Sequence, residues 1–405
     1  MSDYSNLKSD SKDFHKILNS YFLKEKESNQ SSYRKELSKI IFDYIIKTDD
    51  GSYTINSPDF DGKSETMHNS NGAITESFEK FVKPLKFDYS KNKEIAILDI
   101  CGGFGYNSAA VIADFLEKSG GNSKIAIDMI EISLETLATA LVIPSPIATH
   151  NFLKSAIESK LVDEDFAGIA IEKTEIPENI AINVHIEDAR KTIIDLKDNN
   201  YDAIFFDPYS PAMAPELCSV EFFKELKRVI KDNGIIATYS ASSPVRWGLI
   251  EAGFYIGEGP IFGRKSGGTI ASLDINNINN SIPLDDERTI AISDAGIPFR
   301  DSNLNLTASQ ILNNRKKERE KARHHYKISS AVQTPLFLGK DLKDEKLKRR
   351  LIRNLNKVNI SDLKSDEAYY IIEPQNRYSK ESTKENNSNK RIIEMNKRLL
   401  AIIDN

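Results

Sequence analysis

At 405 residues the chain is long enough for a full α/β domain of roughly 200 to 250 residues plus accessory segments. Its 55 Lys and Arg against 60 Asp and Glu leave a net charge of −5, which excludes a generally basic nucleic-acid binder while leaving local basic patches open. Two cysteines, Cys101 and Cys218, make neither a zinc site nor a disulfide framework, and no run approaches the ~18 apolar residues of a membrane span, so a cytoplasmic protein without metal or membrane anchor is expected.

Residues 1–47 read as an N-terminal helical extension, with Phe14, Ile17, Leu18, Tyr21 and Phe22 at the spacing of one amphipathic helix over roughly the first 36 residues. The Thr48-Asp49-Asp50-Gly51-Ser52 turn before Tyr53-Thr54-Ile55 predicts a hairpin. A segment from 48 to 83 then carries Met67, His68, Gly72 and Glu76 ahead of the first sheet strand, where it is placed to cover whatever that strand presents. His68 suits a structural hydrogen bond as well as catalysis, and Glu76 suits a helix start, where negative charge is favoured.

From residue 94 strands and helices alternate. Strands are predicted over Glu94–Ile100, Lys124–Ile132, Ile182–Ile186, Tyr201–Asp207, Gly234–Ser240, Phe254–Gly257 and Gly268–Leu273. Helices are predicted over Asn107–Lys118, Leu134–Leu141 after a Ser133 cap, Ala189–Leu196, Val220–Lys231 and Val245–Ala252. Continuous apolar runs such as Ala203-Ile204-Phe205-Phe206 are those of strands covered on both faces, so the sheet is expected to be parallel and buried. The last two strands are joined by Gly259–Gly267 with no room for a crossover helix and are expected to pair antiparallel. The fold class is therefore α/β, a Rossmann-like, seven-stranded, mostly parallel sheet within a domain over 48–273, with an insertion at 142–181 carrying its own helix. Residues 274–405 read as a C-terminal extension, helical and partly low-complexity, with a helix capped by Thr307 that ends in a basic run at 315–325.

The chemistry starts at Asp99-Ile100-Cys101-Gly102-Gly103-Phe104-Gly105-Tyr106-Asn107, a strand entering a glycine-rich turn that opens a helix. That geometry turns backbone N–H groups toward a polar ligand. A dinucleotide fingerprint needs a third glycine where Ser108 stands. The pattern Asp99-x-x-Gly102-Gly103-x-Gly105 is similar to the first motif of class I S-adenosylmethionine (SAM) methyltransferases, with a nicotinamide enzyme as the competing reading. Glu131 ends the second strand, where a carboxylate accepts ribose hydroxyls. Asp188 follows the third strand, and like Glu131 it equally suits a capping acid when taken alone; Asp207 closes the fourth strand beside the glycine turn, where a capping acid is the lesser alternative. Methyl transfer needs an unprotonated, aligned nucleophile, so an amine with pKa ~10 needs a carboxylate to hold it and steer its proton, and Asp207 is the candidate.

Longer motifs extend the pattern: Asp207-Pro208-Tyr209-Ser210-Pro211 with Pro215-Glu216-Leu217, Thr238–Arg246, Gly263-Arg264-Lys265 with Gly268-Thr269, Asp50-Gly51-Ser52 with Thr54, and His68 with Gly72, Ala73 and Glu76. In this order they resemble the MnmC-type methyltransferases, the former DUF752 group, and the Gly296–Asp301 turn is similar to the stand-alone branch. The resemblance implies a SAM-dependent N-methyltransferase acting on the 5-aminomethyl group of the wobble uridine in tRNA, giving 5-methylaminomethyluridine. It implies that SAM is bound by Ser52, Thr54, Gly72, Glu76, Asp99, Gly103, Gly105, Glu131 and Asp188, with Asp207 beside the substrate amine. Tyr209, Ser210, Arg246, Arg264 and Lys265 are candidate substrate contacts, Tyr209 by stacking on a base or by packing its loop, and the basic run by binding phosphates or as a solvated face. Pro208, Tyr209 and Cys218 depart from the residues usual in the family and bear on substrate identity. No oxidase domain of the fused bacterial enzymes is expected past residue 273. The competing functions are an aminopropyltransferase, which would use decarboxylated SAM, and a noncatalytic tRNA-binding protein with the same fold.

Overall fold

The computed structural model describes residues 11–56, 65–68, 70–89, 91–121, 123–263, 266–330, 343–362, 364–372 and 378–404. The strands are β1 (Ile46–Lys47), β2 (Tyr53–Thr54), β3 (Glu94–Ile100), β4 (Lys124–Glu131), β5 (Ile180–Ile186), β6 (Tyr201–Phe206), β7 (Ile230–Thr238), β8 (Tyr255–Glu258) and β9 (Thr269–Ser272). The first two form the expected antiparallel hairpin, Ile46 opposite Thr54. The other seven form one sheet in the order β5-β4-β3-β6-β7-β9-β8. β3 runs parallel to β4 and β6, β4 runs parallel to β5, and β8 pairs antiparallel with β9, the Rossmann-like arrangement with an antiparallel pair at one edge. Ile97, Leu98, Ile100, Ala203, Ile204, Phe205 and Phe206 are all buried, the burial on both faces that their continuous apolar runs require.

The described residues fall into two compact units, one within 1–209, 236–238 and 260–267 and the other within 210–235, 239–259 and 268–405. In the first, the N-terminal extension is two helices rather than one, α1 (Ser11–Ser28) and α2 (Ser32–Ile40), separated at Asn29, whose φ of 55° breaks the helix. The short helix α3 (Ala73–Glu76) precedes a π-helical turn, followed by α4 (Tyr106–Lys118) and α5 (Leu134–Val142), whose Ser133 cap accepts the Thr136 N–H at 3.1 Å. The insertion supplies α6 (His150–Asp163), and α7 (Ala189–Asp195) follows β5. Arg34 of α2 is buried in a bidentate pair with Glu25 of α1 (2.6 and 3.0 Å) and also bonds Glu158 of α6. Glu158 in turn accepts the Ile171 and Glu172 N–H groups, so a buried charge network fixes the extension to the insertion.

The second unit contains α8 (Val220–Val229), α9 (Ser243–Ala252), α10 (Leu284–Ile292), α11 (Ala308–His325), α12 (Glu345–Asn356), α13 (Asp366–Ile372) and α14 (Ser388–Ile403). Thr307 caps α11 in a capping box with Gln310, as its spacing predicts. α8 ends two residues earlier than expected and Lys231 to Asn233 join β7; at Gly234 a Cβ would lie 2.5 Å from Ile230 Cγ1, so that position has no room for a side chain. The C-terminal residues cover the edge strand β8. Asn389 accepts the Ile256 N–H at 3.0 Å and donates to the Phe254 carbonyl at 2.7 Å, and the Asn280 carbonyl accepts the Glu258 N–H. Arg391 is fully buried against Glu287 in a bidentate pair at 2.7 and 2.8 Å. Among the described residues no helix is long and apolar enough to cross a membrane.

Candidate active site

β3 delivers Asp99 into the interior and ends in the turn Cys101–Gly105, where the Gly102 carbonyl accepts the Gly105 N–H at 2.8 Å. Gly103 has φ of 56°, and a Cβ there would lie 3.1 Å from Met67 Sδ, so the turn needs a residue with no side chain to let the covering segment approach. Gly105, φ 84°, opens α4. Ser108, which stands at the position of a third glycine, donates its hydroxyl to Asp99 Oδ2 at 2.6 Å. The other oxygen, Asp99 Oδ1, is buried and accepts no hydrogen bond among the described residues. Burial pushes Asp99 up to about 6, with the Ser108 bond opposing the rise and the charge of Glu131 adding to it.

At the end of β4, Glu131 is buried, with Oε2 accepting the Gly103 N–H at 3.2 Å and Oε1 the Ser133 N–H at 3.0 Å. Burial raises it above the usual carboxylate range while those backbone bonds pull it back. Asp188 caps α7, accepting the Arg190 N–H at 2.9 Å, and pairs with the Arg190 guanidinium at 2.7 Å, so it has the capping role that its position allowed for. Burial opposes ionisation of Asp188, but the Arg190 bonds outweigh it and hold the carboxyl low. Asp207, just beyond β6, is half-buried; its N–H donates to the Ile100 carbonyl at 3.2 Å, and its Oδ2 accepts from Asn107 Nδ2 at 2.9 Å. Tyr209 is half-buried as well, and its phenol is pushed up by burial and by the nearby charges of Glu131, Cys101, Glu65 and Asp207. The strand-end carboxylates Glu131 and Asp207 thus lie within electrostatic reach of one aromatic side chain.

The 48–83 segment is organised by Asp50, a residue that the motif contained but that was not singled out. Its carboxylate accepts from the Ser52 N–H (3.0 Å) and hydroxyl (2.5 Å), the Thr75 N–H and hydroxyl (both 2.8 Å) and the Thr48 hydroxyl (2.9 Å). Burial works against the charge, but these donors outweigh it and hold Asp50 at about 2. Ser52 Oγ accepts the Ala73 N–H at 2.9 Å, and Thr54 Oγ1 accepts the His68 N–H at 2.8 Å. Gly72 has φ of 134°, and a Cβ there would overlap Asp50 Oδ2 at 2.2 Å. Glu76 is buried at the end of α3, its N–H donating to the Gly72 carbonyl. Ser52, Thr54, Gly72 and Glu76 therefore belong to one hydrogen-bonded segment that reaches Gly103 through Met67.

The substrate candidates fare differently. Arg246 is corrected: its side chain is 0% exposed, and it donates to Thr269 Oγ1 (3.0 Å), Asp286 (2.7 Å), Glu258 (2.5 Å) and the Gly268 carbonyl (2.7 Å), so it holds α9, β8, β9 and α10 together and is buried away from the surface that a substrate would touch. Arg264 and Lys265 lie outside the described residues. Ser210 is half-buried, and its carbonyl closes a turn by accepting the Met213 and Ala214 N–H groups. In the basic run, Arg319 and Arg323 pair with buried Asp294, and Arg315 donates to the Ala295 and Ile297 carbonyls, so these three arginines are engaged by the protein and do not form one open solvated face. Asn107 was missed. Its signal is a polar amide in the first turn of a helix that opens at the strand edge, two residues beyond the last glycine of the motif.

Comparison with known proteins bears on what this arrangement does. A family profile described as S-adenosyl-L-methionine-dependent methyltransferase matches residues 154–274. The uncharacterized protein MJ0670 of Methanocaldococcus jannaschii is 32% identical over 354 residues, 87% of this chain and 92% of that protein. The tRNA 5-methylaminomethyl-2-thiouridine biosynthesis bifunctional protein MnmC of Ralstonia nicotianae is 44% identical over 72 residues, which is 18% of this chain and only 11% of that protein. The crystal structure of MnmC2 from Aquifex aeolicus superposes with a TM-score of 0.56 at 26% identity, covering 76% of this chain and 99% of that one.

Proposed function

Because the chain belongs to the MnmC-like family of S-adenosyl-L-methionine-dependent methyltransferases, we propose that it methylates the 5-aminomethyl group of the wobble uridine in tRNA. The observation that carries the reading is Asp207 at the carboxyl edge of β6, held by Asn107 from the helix that opens out of the glycine turn. An alkylammonium with pKa ~10 has no lone pair to offer at neutral pH. Asp207 is half-buried at the strand edge and held by the Asn107 amide, and its carboxylate is the group proposed to orient the ammonium and receive a proton. With the amide fixing the rotamer of the carboxylate, the amine is aligned before it reacts.

The residues present fit the cofactor. Bound SAM supplies an electrophilic methyl group on a sulfonium. Asp99 Oδ1, buried and without a donor, suits the ammonium of an amino-acid moiety, and Glu131, already anchored by two backbone N–H groups, suits a ribose diol. The Asp50-centred segment approaches the turn at Gly103 through Met67, and Asp188 lies at the strand end that the family uses for the adenine. The test is direct: tRNA carrying 5-aminomethyluridine is incubated with the protein and SAM, digested, and its nucleosides are mapped by mass spectrometry. Gain of one methyl group at the wobble nucleoside is expected, and an unchanged nucleoside profile overturns the substrate assignment.

A further inference from the structure

The second unit contains a cavity of about 550 Å³ among α9, the turn 296–300, α11, the chain leaving it and α14. Trp247, Arg300, Arg315, Tyr326, Lys327 and Asn396 line it. That volume lies within the ~300 to 1,000 Å³ of small-molecule sites.

Its charges are unusual. Lys327 is 5% exposed, yet among the described residues its ammonium touches only neutral groups: the Ala291 carbonyl at 2.5 Å, Asn396 Oδ1 at 2.6 Å and the face of Trp247 at 5.2 Å. Arg315 is likewise held without a carboxylate, by the Ile297 carbonyl at 2.6 Å, the Ala295 carbonyl at 2.9 Å and the Phe299 ring at 4.5 Å, and its Nη1 makes no hydrogen bond among the described residues. A cation as buried as Lys327 is ordinarily matched by an acid, as Arg34, Arg246 and Arg391 are in this same chain, whereas Arg315 is part-exposed. Burial lowers Lys327 to about 7, with no charged neighbour to restore it, and lowers Arg315 to about 10, with Arg319 adding to the fall and Asp294 opposing it. The two acids on the cavity wall do not supply the missing charge. Glu251 is paired with Arg300 at 2.5 Å, and Glu318 is exposed on α11.

We propose that this cavity is an anion site that takes the phosphate of a single nucleotide, with Lys327 and Arg315 as the ligating cations and Trp247 and Tyr326 as the walls for its base. A phosphate complements both cations with charge-assisted bonds, Arg315 through its unused Nη1. Aromatic walls with a cationic floor are the surroundings that a nucleobase and its phosphate share. The proposal stands apart from the methyl acceptor, since none of its residues belongs to the glycine turn or the strand-end acids.

The test is isothermal titration calorimetry on the full chain with the cofactor site saturated by S-adenosylhomocysteine, using inorganic phosphate, uridine 5′-monophosphate and the dinucleotide UpU as probes. Uridine 5′-monophosphate is expected to bind more tightly than inorganic phosphate, and Lys327→Met is expected to weaken it about tenfold or more. Arg315→Gln, at a part-exposed position, is expected to weaken it similarly and decides the matter if Lys327→Met does not fold, as judged by circular dichroism and S-adenosylhomocysteine affinity. Binding of the monophosphate alone identifies a free nucleotide as the ligand, and binding of UpU as well identifies a nucleic-acid backbone. Absence of heat with both phosphate and the monophosphate up to about 10 mM, a concentration that detects even weak affinity, overturns the proposal, as does unchanged affinity in the folded variants.

Discussion

Asn107 donates its side-chain amide to Asp207 across 2.9 Å, joining the first turn of α4 to the end of β6. One group is the proposed acceptor of the substrate proton, and the other sets its rotamer. Asp207→Ala is expected to lower methyl transfer by ~10²- to 10⁴-fold, the usual contribution of a general base, while leaving S-adenosylhomocysteine affinity within about threefold. Asn107→Ala is expected to lower kcat by a smaller factor with little change in cofactor affinity, because a misoriented carboxylate still accepts a proton. Single-turnover methylation assays beside calorimetry separate the two effects, and full activity in Asp207→Ala removes that residue from the mechanism.

Glu131 carries the proposed ribose contact. Replacement by Ala removes a buried carboxylate that is preorganised by the Gly103 and Ser133 N–H groups. Hydrogen bonds to a charged group are worth about 1.5 to 3 kcal/mol, so cofactor affinity is expected to fall by roughly ten- to a hundredfold, read as Kd by calorimetry. The Tm of the cofactor-free protein is expected to change less than that of the complex.

Gly72→Ala tests the covering segment. The new methyl group would overlap Asp50 Oδ2 at a φ of 134°, so the Asp50 bonds to Ser52 and Thr75 must yield or the backbone must carry strain of about 1 to 3 kcal/mol. Faster amide exchange over 48–56 and 70–76 is expected, together with weaker cofactor binding. Unchanged exchange there would separate the segment from the turn it covers.

Arg246→Met tests the corrected assignment. The substitution removes the buried guanidinium that bonds both Glu258 and Asp286, and breaking a buried ion pair costs about 3 to 5 kcal/mol. Loss of stability in urea denaturation is the expected signature. A fully stable variant with weakened RNA affinity would instead restore Arg246 to the substrate-binding set.

His150 predicts a pH dependence. Its ring is fully buried, Nε2 is 2.8 Å from the Phe104 carbonyl in the glycine turn, and burial lowers it to about 4, with the Phe104 bond opposing the fall and Lys154 adding to it. A histidine with a depressed folded pKa binds its proton more readily when unfolded. The stability it gives is complete above ~6.5 and is lost as pH falls toward 4, a change of order 3 kcal/mol. Urea midpoints of the wild type and His150→Gln are expected to converge as pH falls from 7 to 4.

The fold and the placement of the candidate site's carboxylates at strand ends were legible in the sequence because both are written in local order. Ile97-Leu98-Asp99-Ile100 and Ala203-Ile204-Phe205-Phe206 are apolar on both faces, and the glycines after the first run admit only a tight turn, so the strand ends carrying Asp99, Glu131 and Asp207 follow from periodicity alone. What escaped depends on contacts between distant segments. Arg246 reads as a loop cation but meets Thr269 and Asp286, and Arg391 meets Glu287 across 104 positions; no spacing rule announces such pairs. The charged C-terminal residues, which alone look like a solvated tail, are fixed where they cover the unpaired edge of β8. The sequence by itself determined the sheet and the carboxylates at its edge, whereas tertiary structure alone decided which charges are buried against acids and which, as at Lys327, are buried without one, because desolvation is set by everything that packs around a group and not by its neighbours in the chain.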